Sequence, residues 1–179
     1  MNETLPVIYL SFLLILLGAS AIFIFQQVVK VRRRESNFSR LQEKLKNKKG
    51  TAKDYYELGS LYLDKKLFVQ SIQLFQKALK VAGKQEVEPE NQALIYNGMG
   101  YAYFAQEQYD LAIRQYKEAL KLNPEYLIAL NNLGNVYEKK QLVAQALETY
   151  QQTLKYDPNN ATAKGRGDSL SKRLTSNIG

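Results

Sequence analysis

The sequence predicts an all-α protein in which one membrane-spanning helix precedes a stack of three helical hairpins and a capping helix. Two observations lead to this prediction. A pattern of aromatic, small and proline residues recurs at intervals of 34 and 41 positions between residues 52 and 160, and 21 uncharged residues, 5–25, lie near the N-terminus. Such long-period repeats are typical of solenoids, whose units bury a continuous core only by stacking.

The apolar stretch Leu5–Phe25 comes first along the chain. A helix of its 21 residues, rising about 1.5 Å per residue, can cross a hydrocarbon core about 30 Å thick. The small residues at 19–21 resemble a signal-peptide cleavage site, but no Lys or Arg precedes the apolar run, and the run continues beyond that site. We therefore predict an uncleaved transmembrane anchor over residues 1–29.

A basic helical connector is predicted over residues 30–51. From Lys30 to Lys53 the chain has ten Lys and Arg against two Glu, an excess equal to the net charge of +8 for the whole chain. The positive-inside rule places this side of the anchor in the cytoplasm or its topological equivalent. Two roles remain open for these charges: a topology determinant with a solvated spacer, or binding to anionic lipid.

The repeats are predicted to occupy residues 52–179. Their spine is clearest in the middle unit, where it consists of Tyr96, Gly100, Tyr103, Ala112, Tyr116, Ala119 and Pro124. A shift of 34 positions forward or 41 back brings Gly100 to Gly134 or Gly59. We assign the three repeats to 52–83, 93–126 and 127–160, and the capping helix to 161–174.

Each repeat is predicted to form two packed helices. In the middle repeat these are Ala93–Gln106 and Asp110–Leu122, with Asp110 as the N-cap of the second helix. The Gly and Ala residues of the spine allow paired helices to approach closely. Asn159 and Asn160 are candidate caps for the last helix.

Seven additional residues separate the first two repeats, within Gly83–Gln92. Gly83 can cap the preceding helix, and Pro89 restricts the backbone of Glu88. Three interpretations remain open for this segment: a tolerated surface insertion, a loop that contacts a partner, or an extension of a flanking helix by one turn.

Composition excludes several function classes. The chain has no Cys and no His, which removes thiol and imidazole catalysis and Cys/His metal sites. Carboxylates such as Asp64 and Glu138 have no base or metal partner in view. After residue 53, fifteen basic residues face fourteen acidic ones, so no basic surface for nucleic acid is expected. We predict no enzyme activity, no cofactor, no metal site and no small-molecule substrate.

The repeats resemble the tetratricopeptide repeat (TPR) family. Leu133 and Gly134, followed by Tyr137, Ala146 and Tyr150, match that family's pattern. The departures are Tyr55, Tyr96 and Leu130 where Trp is usual, Ser71 and Thr153 where Ala is usual, and Gly83 where Pro is usual. The resemblance implies a protein-interaction scaffold whose first helices line a concave surface.

TPR co-chaperones grip the terminal carboxylate of their clients with Lys, Asn and Arg on these first helices. In this chain the corresponding positions hold Tyr56, Ser60, Gly98, Ile128 and Asn132. That carboxylate clamp is absent, so a receptor for chaperone tails is disfavoured.

A partner-binding groove is predicted along the first helices. Asn97, Tyr101 and Phe104 share one helix face at spacings of four and three. With their equivalents in the other repeats, the predicted groove residues are Tyr56, Ser60, Asn97, Tyr101, Phe104, Asn131, Asn135 and Glu138. Amides both donate and accept hydrogen bonds, and aromatic rings offer flat contact area, so this set suits an extended polypeptide.

The whole arrangement of anchor, connector and three repeats resembles the small membrane-anchored photosystem I assembly proteins of cyanobacteria and plastids. That resemblance implies a single-pass thylakoid protein with its repeats in the cytosol or stroma, whose partners are photosystem I subunits or assembly intermediates. The alternative is a membrane-bound TPR receptor or adaptor for precursor or envelope proteins in another bacterial or organellar pathway. Co-purification distinguishes the two.

Overall fold

The computed structural model describes residues 4–46 and 50–176, which form helices and turns without any strand. Over these residues the helices are α1 (Thr4–Lys46), α2 (Ala52–Asp64), α3 (Phe68–Ala82), α4 (Pro89–Ala105), α5 (Tyr109–Leu122), α6 (Leu127–Lys139), α7 (Val143–Tyr156) and α8 (Ala161–Ser176). The chain divides into two compact units, residues 1–46 and 47–179. The first contains α1 and the second contains the other helices.

Helix α1 runs without a break through the predicted anchor and the predicted connector. Its large apolar side chains between Val7 and Val28 are exposed. Its most apolar 18-residue window has a mean hydropathy of 2.6 and no buried residue. The Ser20 hydroxyl donates to the Leu16 carbonyl at 2.8 Å, so this polar group is satisfied within the helix. By length and composition, α1 can span a membrane.

The second unit is a stack of three hairpins followed by α8. Helix α2 packs on α3, α4 on α5, and α6 on α7. Neighbouring hairpins meet where α3 packs on α4 and α5 packs on α6, and α8 covers α7. This arrangement confirms the predicted helical solenoid with its capping helix. Over the described residues 50–176, the seven helices correspond to three two-helix repeats and the capping helix.

In each hairpin, an aromatic ring of the second helix packs directly against a glycine of the first helix. The three pairs are Phe75 on Gly59, Tyr116 on Gly100, and Tyr150 on Gly134. A Cβ atom added to Gly100 would lie 2.6 Å from Cε1 of Tyr116, well inside van der Waals contact. The rings are almost completely buried, so these glycines serve close helix packing, as the sequence predicted.

The turns inside the three hairpins share one backbone conformation. Lys66, Glu107 and Gln141 occupy equivalent positions and have φ angles of 60°, 59° and 59°. The residue after each turn position donates its N–H to the carbonyl of Tyr62, Tyr103 or Tyr137, at 2.9, 3.0 and 2.8 Å. A left-handed residue closed by such a bond is a common way to end a helix. None of the three is glycine, which is why the turns carry no glycine signal in the sequence.

One predicted cap is wrong and another is confirmed. Helix α5 begins at Tyr109, with Gln108 as its N-cap and no side-chain cap, so Asp110 lies inside the first turn. There the Asp110 carboxylate pairs with the Lys140 ammonium of the next repeat. Asn160 does cap α8, because its Oδ1 accepts from the Ala163 N–H at 3.1 Å.

The start of α4 differs from the prediction, and the capping box at the start of α2 was not predicted. Helix α4 begins at Pro89 rather than Ala93, because proline suits the first helical position and the segment before Ala93 continues the helix. Helix α2 begins with a capping box: the Thr51 hydroxyl accepts from the Asp54 N–H, and the Asp54 carboxylate accepts from the Thr51 N–H. Gly83 ends α3 with φ −64°, so its left-handed freedom is not used.

Candidate peptide-binding groove

The first helices of the three hairpins lie next to one another, with α2 against α4 and α4 against α6. All eight predicted groove residues lie on these helices: Tyr56 and Ser60 on α2, Asn97, Tyr101 and Phe104 on α4, and Asn131, Asn135 and Glu138 on α6. We call this surface the groove. The structure describes every one of these residues, and it gives them different surroundings.

Two of the groove amides are joined to neighbouring helices. Nδ2 of Asn132 donates to Oδ1 of Asn97 at 3.0 Å, which links α6 to α4. Nδ2 of Asn131 donates to Oδ1 of Asn160 at 3.2 Å, at the start of α8. Oδ1 of Asn131 is buried, and no hydrogen-bond partner for it is found among residues 4–46 and 50–176. Asn97 and Asn131 therefore help to align the repeats, and Asn132 and Asn160 belong to the same set although the groove prediction omitted them.

The three groove aromatics are not equally accessible. Tyr101 is 47% exposed. The Tyr56 ring lies 5.8 Å from the Phe75 ring, and the Phe104 ring lies 5.8 Å from that of Tyr109, between ring centroids. Tyr56 and Phe104 are thus half-buried parts of the core edge, whereas about half of Tyr101 is accessible to an incoming partner.

Glu138 lies at the centre of a charged cluster that joins three helices. The Tyr150 hydroxyl of α7 donates to Oε1 of Glu138 at 2.6 Å, and Nη1 of Arg166 on α8 donates to Oε2 at 3.3 Å. Burial raises the pKa of the Tyr150 hydroxyl, and its hydrogen bond and proximity to the Glu138 carboxylate raise it further. The Glu138 side chain is only 14% exposed, so its carboxylate is already engaged in holding α8.

The remaining two groove residues are polar and half-buried. The Ser60 hydroxyl donates to the Tyr56 carbonyl within α2 at 3.0 Å. The Asn135 amide makes no side-chain hydrogen bond to protein within residues 4–46 and 50–176. Tyr101 and Asn135 are therefore the groove residues whose contact groups remain available to a partner.

A cavity at the first-repeat end of the groove was not predicted. Its volume is about 570 Å³, within the range of sites that bind ligands or side chains. It lies between the N-terminal turns of α2 and α4 and the segment that joins α3 to α4, and Tyr56 belongs to both the cavity and the groove. The only sequence signal for it was the seven-residue insertion within 83–92.

The described part of the chain offers no grouping of three or more acidic residues that could hold a metal ion. The side chains along the groove are amides, aromatics, hydroxyls and one engaged carboxylate, and their chemistry is that of contact and hydrogen bonding. Such a surface can form hydrogen bonds with the backbone of a polypeptide and can pack its own aromatic rings against the polypeptide's side chains.

Comparison with known proteins identifies the repeats. Three stretches match family descriptions: residues 52–85 and 128–160 match a tetratricopeptide repeat, and residues 100–141 match a TPR repeat. The fold is similar to that of a solved structure, the first TPR of Spaghetti (RPAP3) bound to an HSP90 peptide, with a TM-score of 0.62 at 22% identity. That alignment covers 70% of this chain and 94% of the other.

Two relatives extend the similarity through the N-terminal helix. The ycf37 protein of Cyanophora paradoxa is 38% identical over 164 residues, which are 92% of this chain and 94% of the relative. The chloroplastic tetratricopeptide repeat domain-containing protein PYG7 of Arabidopsis thaliana is 34% identical over 93% of this chain. The match spans 54% of PYG7, about half of that longer protein. The chain therefore belongs to the ycf37 family of tetratricopeptide repeat proteins.

Proposed function

We propose that this protein is a membrane-anchored, non-enzymatic scaffold that promotes assembly or stability of photosystem I by binding its subunits or assembly intermediates. In this proposal α1 crosses the thylakoid membrane once, and the repeats face the cytosol or stroma. The observation that carries the proposal is the combination, in one chain, of an exposed apolar helix with a row of repeat helices that presents Tyr101 and Asn135.

The groove supplies the binding part of this function. Tyr101 offers a ring that is about half exposed, and Asn135 offers an amide that can both donate to and accept from a partner backbone. The Asn97–Asn132 bond aligns α4 with α6, and the Asn131–Asn160 bond ties α6 to the start of α8. A partner that lies across α4 and α6 would thus meet a surface ordered before it binds, which reduces the entropic cost of binding.

Co-purification tests the proposal. The full chain, solubilised in detergent from a photosynthetic membrane, is expected to recover photosystem I subunits or assembly intermediates. The variant Tyr101→Ala with Asn135→Ala should recover at least about tenfold less, the loss expected when a contact worth about 1.4 kcal/mol is removed.

The matched control removes the same kinds of group, one aromatic ring and one side-chain amide, from the second helix of a hairpin. Tyr156→Ala with Gln152→Ala removes an exposed ring and an exposed amide from α7, and should recover as much partner as the unmodified chain. Recovery of precursor proteins or envelope proteins in place of photosystem I subunits would support the alternative function, a receptor or adaptor in another pathway. Equal loss in both variants would place the binding surface outside the groove.

A further inference from the structure

The cavity at the first-repeat end has a wall that the repeat pattern does not require. Residues Gln85, Glu86, Val87 and Glu88 form that wall, and they belong to the insertion between the first two repeats. The opposite sides are the first turns of α2 and α4, which every hairpin stack would place near each other. The insertion therefore adds a third wall to the space between α2 and α4 at this end of the groove.

The wall is tied down at both of its ends. Oε1 of Gln85 accepts from the Ala52 N–H at 3.1 Å, at the first turn of α2. Nε2 of Gln92 donates to the Val87 carbonyl at 2.8 Å. Glu86, between these bonds, has a left-handed φ of 48°, a strained conformation for a residue with a side chain that persists where neighbouring contacts enforce it.

The inner surface of the cavity is apolar. Ala52 and Ile95 form a buried floor, and half-buried Tyr56, Val87 and Leu94 form its sides. In the following repeat, the residue equivalent to Leu94 is Ile128, which is 57% exposed. An apolar surface of this volume suits one large aliphatic or aromatic side chain.

The rim of the cavity carries negative charge. Among the described residues that line it are three carboxylates, Glu57, Glu86 and Glu88, and one cation, Lys53. The Lys53 ammonium lies 3.9 Å from the Glu57 carboxylate, so the field of Glu86 and Glu88, both exposed, is left to attract a cationic ligand. A carboxylate-ending or acidic segment would be repelled there.

We infer that this cavity is the anchor pocket for a partner segment with one large apolar side chain flanked by Lys or Arg. The apolar side chain enters between α2, α4 and the insertion, and the basic side chains lie against Glu86 and Glu88. This inference rests on the proposed function, because it supplies the specificity of the same groove. It also assigns to residues 85–88 of the insertion the role of a loop that contacts a partner, one of the three interpretations that the sequence left open.

Peptide binding to the full chain in lipid nanodiscs tests the inference. The probe is a fluorescently labelled nine-residue peptide with a central Phe between Lys and Arg residues, followed by fluorescence anisotropy. We expect it to bind at least tenfold more tightly than a peptide with Ser in place of Phe. It should also bind at least tenfold more tightly than a peptide with Glu in place of the basic residues. Its affinity should fall as salt is raised from 0.05 to 0.5 M, since exposed charges are screened.

Charge reversal on the wall provides the matched variants. Glu86→Lys with Glu88→Lys should weaken binding of the basic probe at least tenfold and improve binding of the acidic one. Glu90→Lys with Glu107→Lys makes the same change in charge at exposed positions that do not line the cavity, and should change affinity less than threefold. Val87→Ser tests the apolar side and should weaken the basic probe about fivefold. Unchanged helix content in each variant excludes unfolding as the cause.

Two outcomes would overturn the inference: failure of the basic probe to bind the unmodified chain, or equal effects of the two charge-reversal pairs. The proposed function would still stand after either outcome if, in the co-purification experiment, the unmodified chain recovers photosystem I subunits and the variant Tyr101→Ala with Asn135→Ala fails to recover them. Conversely, binding of the basic probe at the cavity by a chain that recovers no photosystem I component would sustain the pocket and refute the proposed function.

Discussion

At the scale of single residues, side chains that the sequence groups together have different tasks in the structure. Asn97 and Asn135 both occupy groove positions, yet the Asn97 side chain accepts a hydrogen bond from Asn132. The side-chain amide of Asn135, in contrast, makes no hydrogen bond to protein over residues 4–46 and 50–176. The difference comes from what the next repeat places opposite each amide. Residue type alone therefore predicts the chemistry of the groove but not which residues a partner can use.

Tyr150 provides a prediction about pH. Burial, together with the neighbouring Glu138 carboxylate, raises the pKa of its hydroxyl above the ordinary value of 10.0. Above pH 10 the folded chain therefore binds more protons than the unfolded chain, and the free energy of unfolding falls as pH rises. Each such tyrosine contributes a slope of up to about 1.4 kcal/mol per pH unit, and the stabilisation is fully present below pH 10.

The variant Tyr150→Phe should separate the two effects of the hydroxyl. At pH 7 we expect a loss of about 1–2 kcal/mol, since a hydrogen bond to a carboxylate is removed. Above pH 10 the variant should lose stability less steeply than the unmodified chain. Urea unfolding of the detergent-solubilised chain, followed by circular dichroism at pH 7 to 11.5, measures both quantities. Parallel pH profiles for the two chains would contradict this account of Tyr150.

At the scale of the helices, close packing of each hairpin depends on a glycine under an aromatic ring. In Gly100→Ala the new Cβ would lie 2.6 Å from the Tyr116 ring, and the ring is buried and cannot move aside. The helices α4 and α5 would have to separate, so we expect a loss of about 1–3 kcal/mol despite the better helix propensity of alanine. The midpoint of urea unfolding measures this change.

Helix α8 supplies the control for this substitution. Within the described part of the chain, a Cβ added to Gly165 would have no neighbour within 4 Å other than its adjacent residues and the backbone of its own helix. Gly165→Ala should therefore raise stability by up to about 1 kcal/mol through helix propensity alone. The two substitutions are chemically identical and should have opposite signs. Equal effects would mean that the glycine-ring contact does not hold the hairpin together.

At the scale of the whole molecule, charge distribution predicts orientation in the membrane. The cluster Lys30, Arg32, Arg33 and Arg34 follows the apolar part of α1 directly, and no Lys or Arg precedes that part. We expect protease added to the cytoplasmic or stromal side of sealed vesicles to digest residues 47–179. Protection of the repeats from that side would refute the proposed topology.

The same arginines offer a stricter test of that orientation. Replacing Arg32, Arg33 and Arg34 with Gln should produce a mixed population with a protected fraction, because the charge bias that sets topology is reduced. Replacing Lys117, Lys121 and Lys155 with Gln removes as many charges from the repeats. The second variant should stay fully digestible from the cytoplasmic or stromal side.

The repeat pattern was sufficient for the architecture. Its period, together with Gly100, Tyr116 and their equivalents, predicted the hairpins, their order and the close approach of paired helices at the small residues, because these depend on residues within one repeat. Two local predictions failed for local reasons. Asp110 is two positions beyond Gln108, the N-cap of α5, and α4 starts early because Pro89 fits a first helical turn.

The sequence by itself determined the fold, the apolar helix and the row of equivalent positions along the first helices, since each follows from a period or from composition. Only the tertiary structure decided which of those positions remain free and where the cavity lies. The hydrogen-bonded residues Asn97 and Asn132 are 35 positions apart in the sequence, and the hydrogen-bonded residues Gln85 and Ala52 are 33 positions apart. Contacts of this kind form only when repeats stack, because stacking sets which side chains come within hydrogen-bond distance.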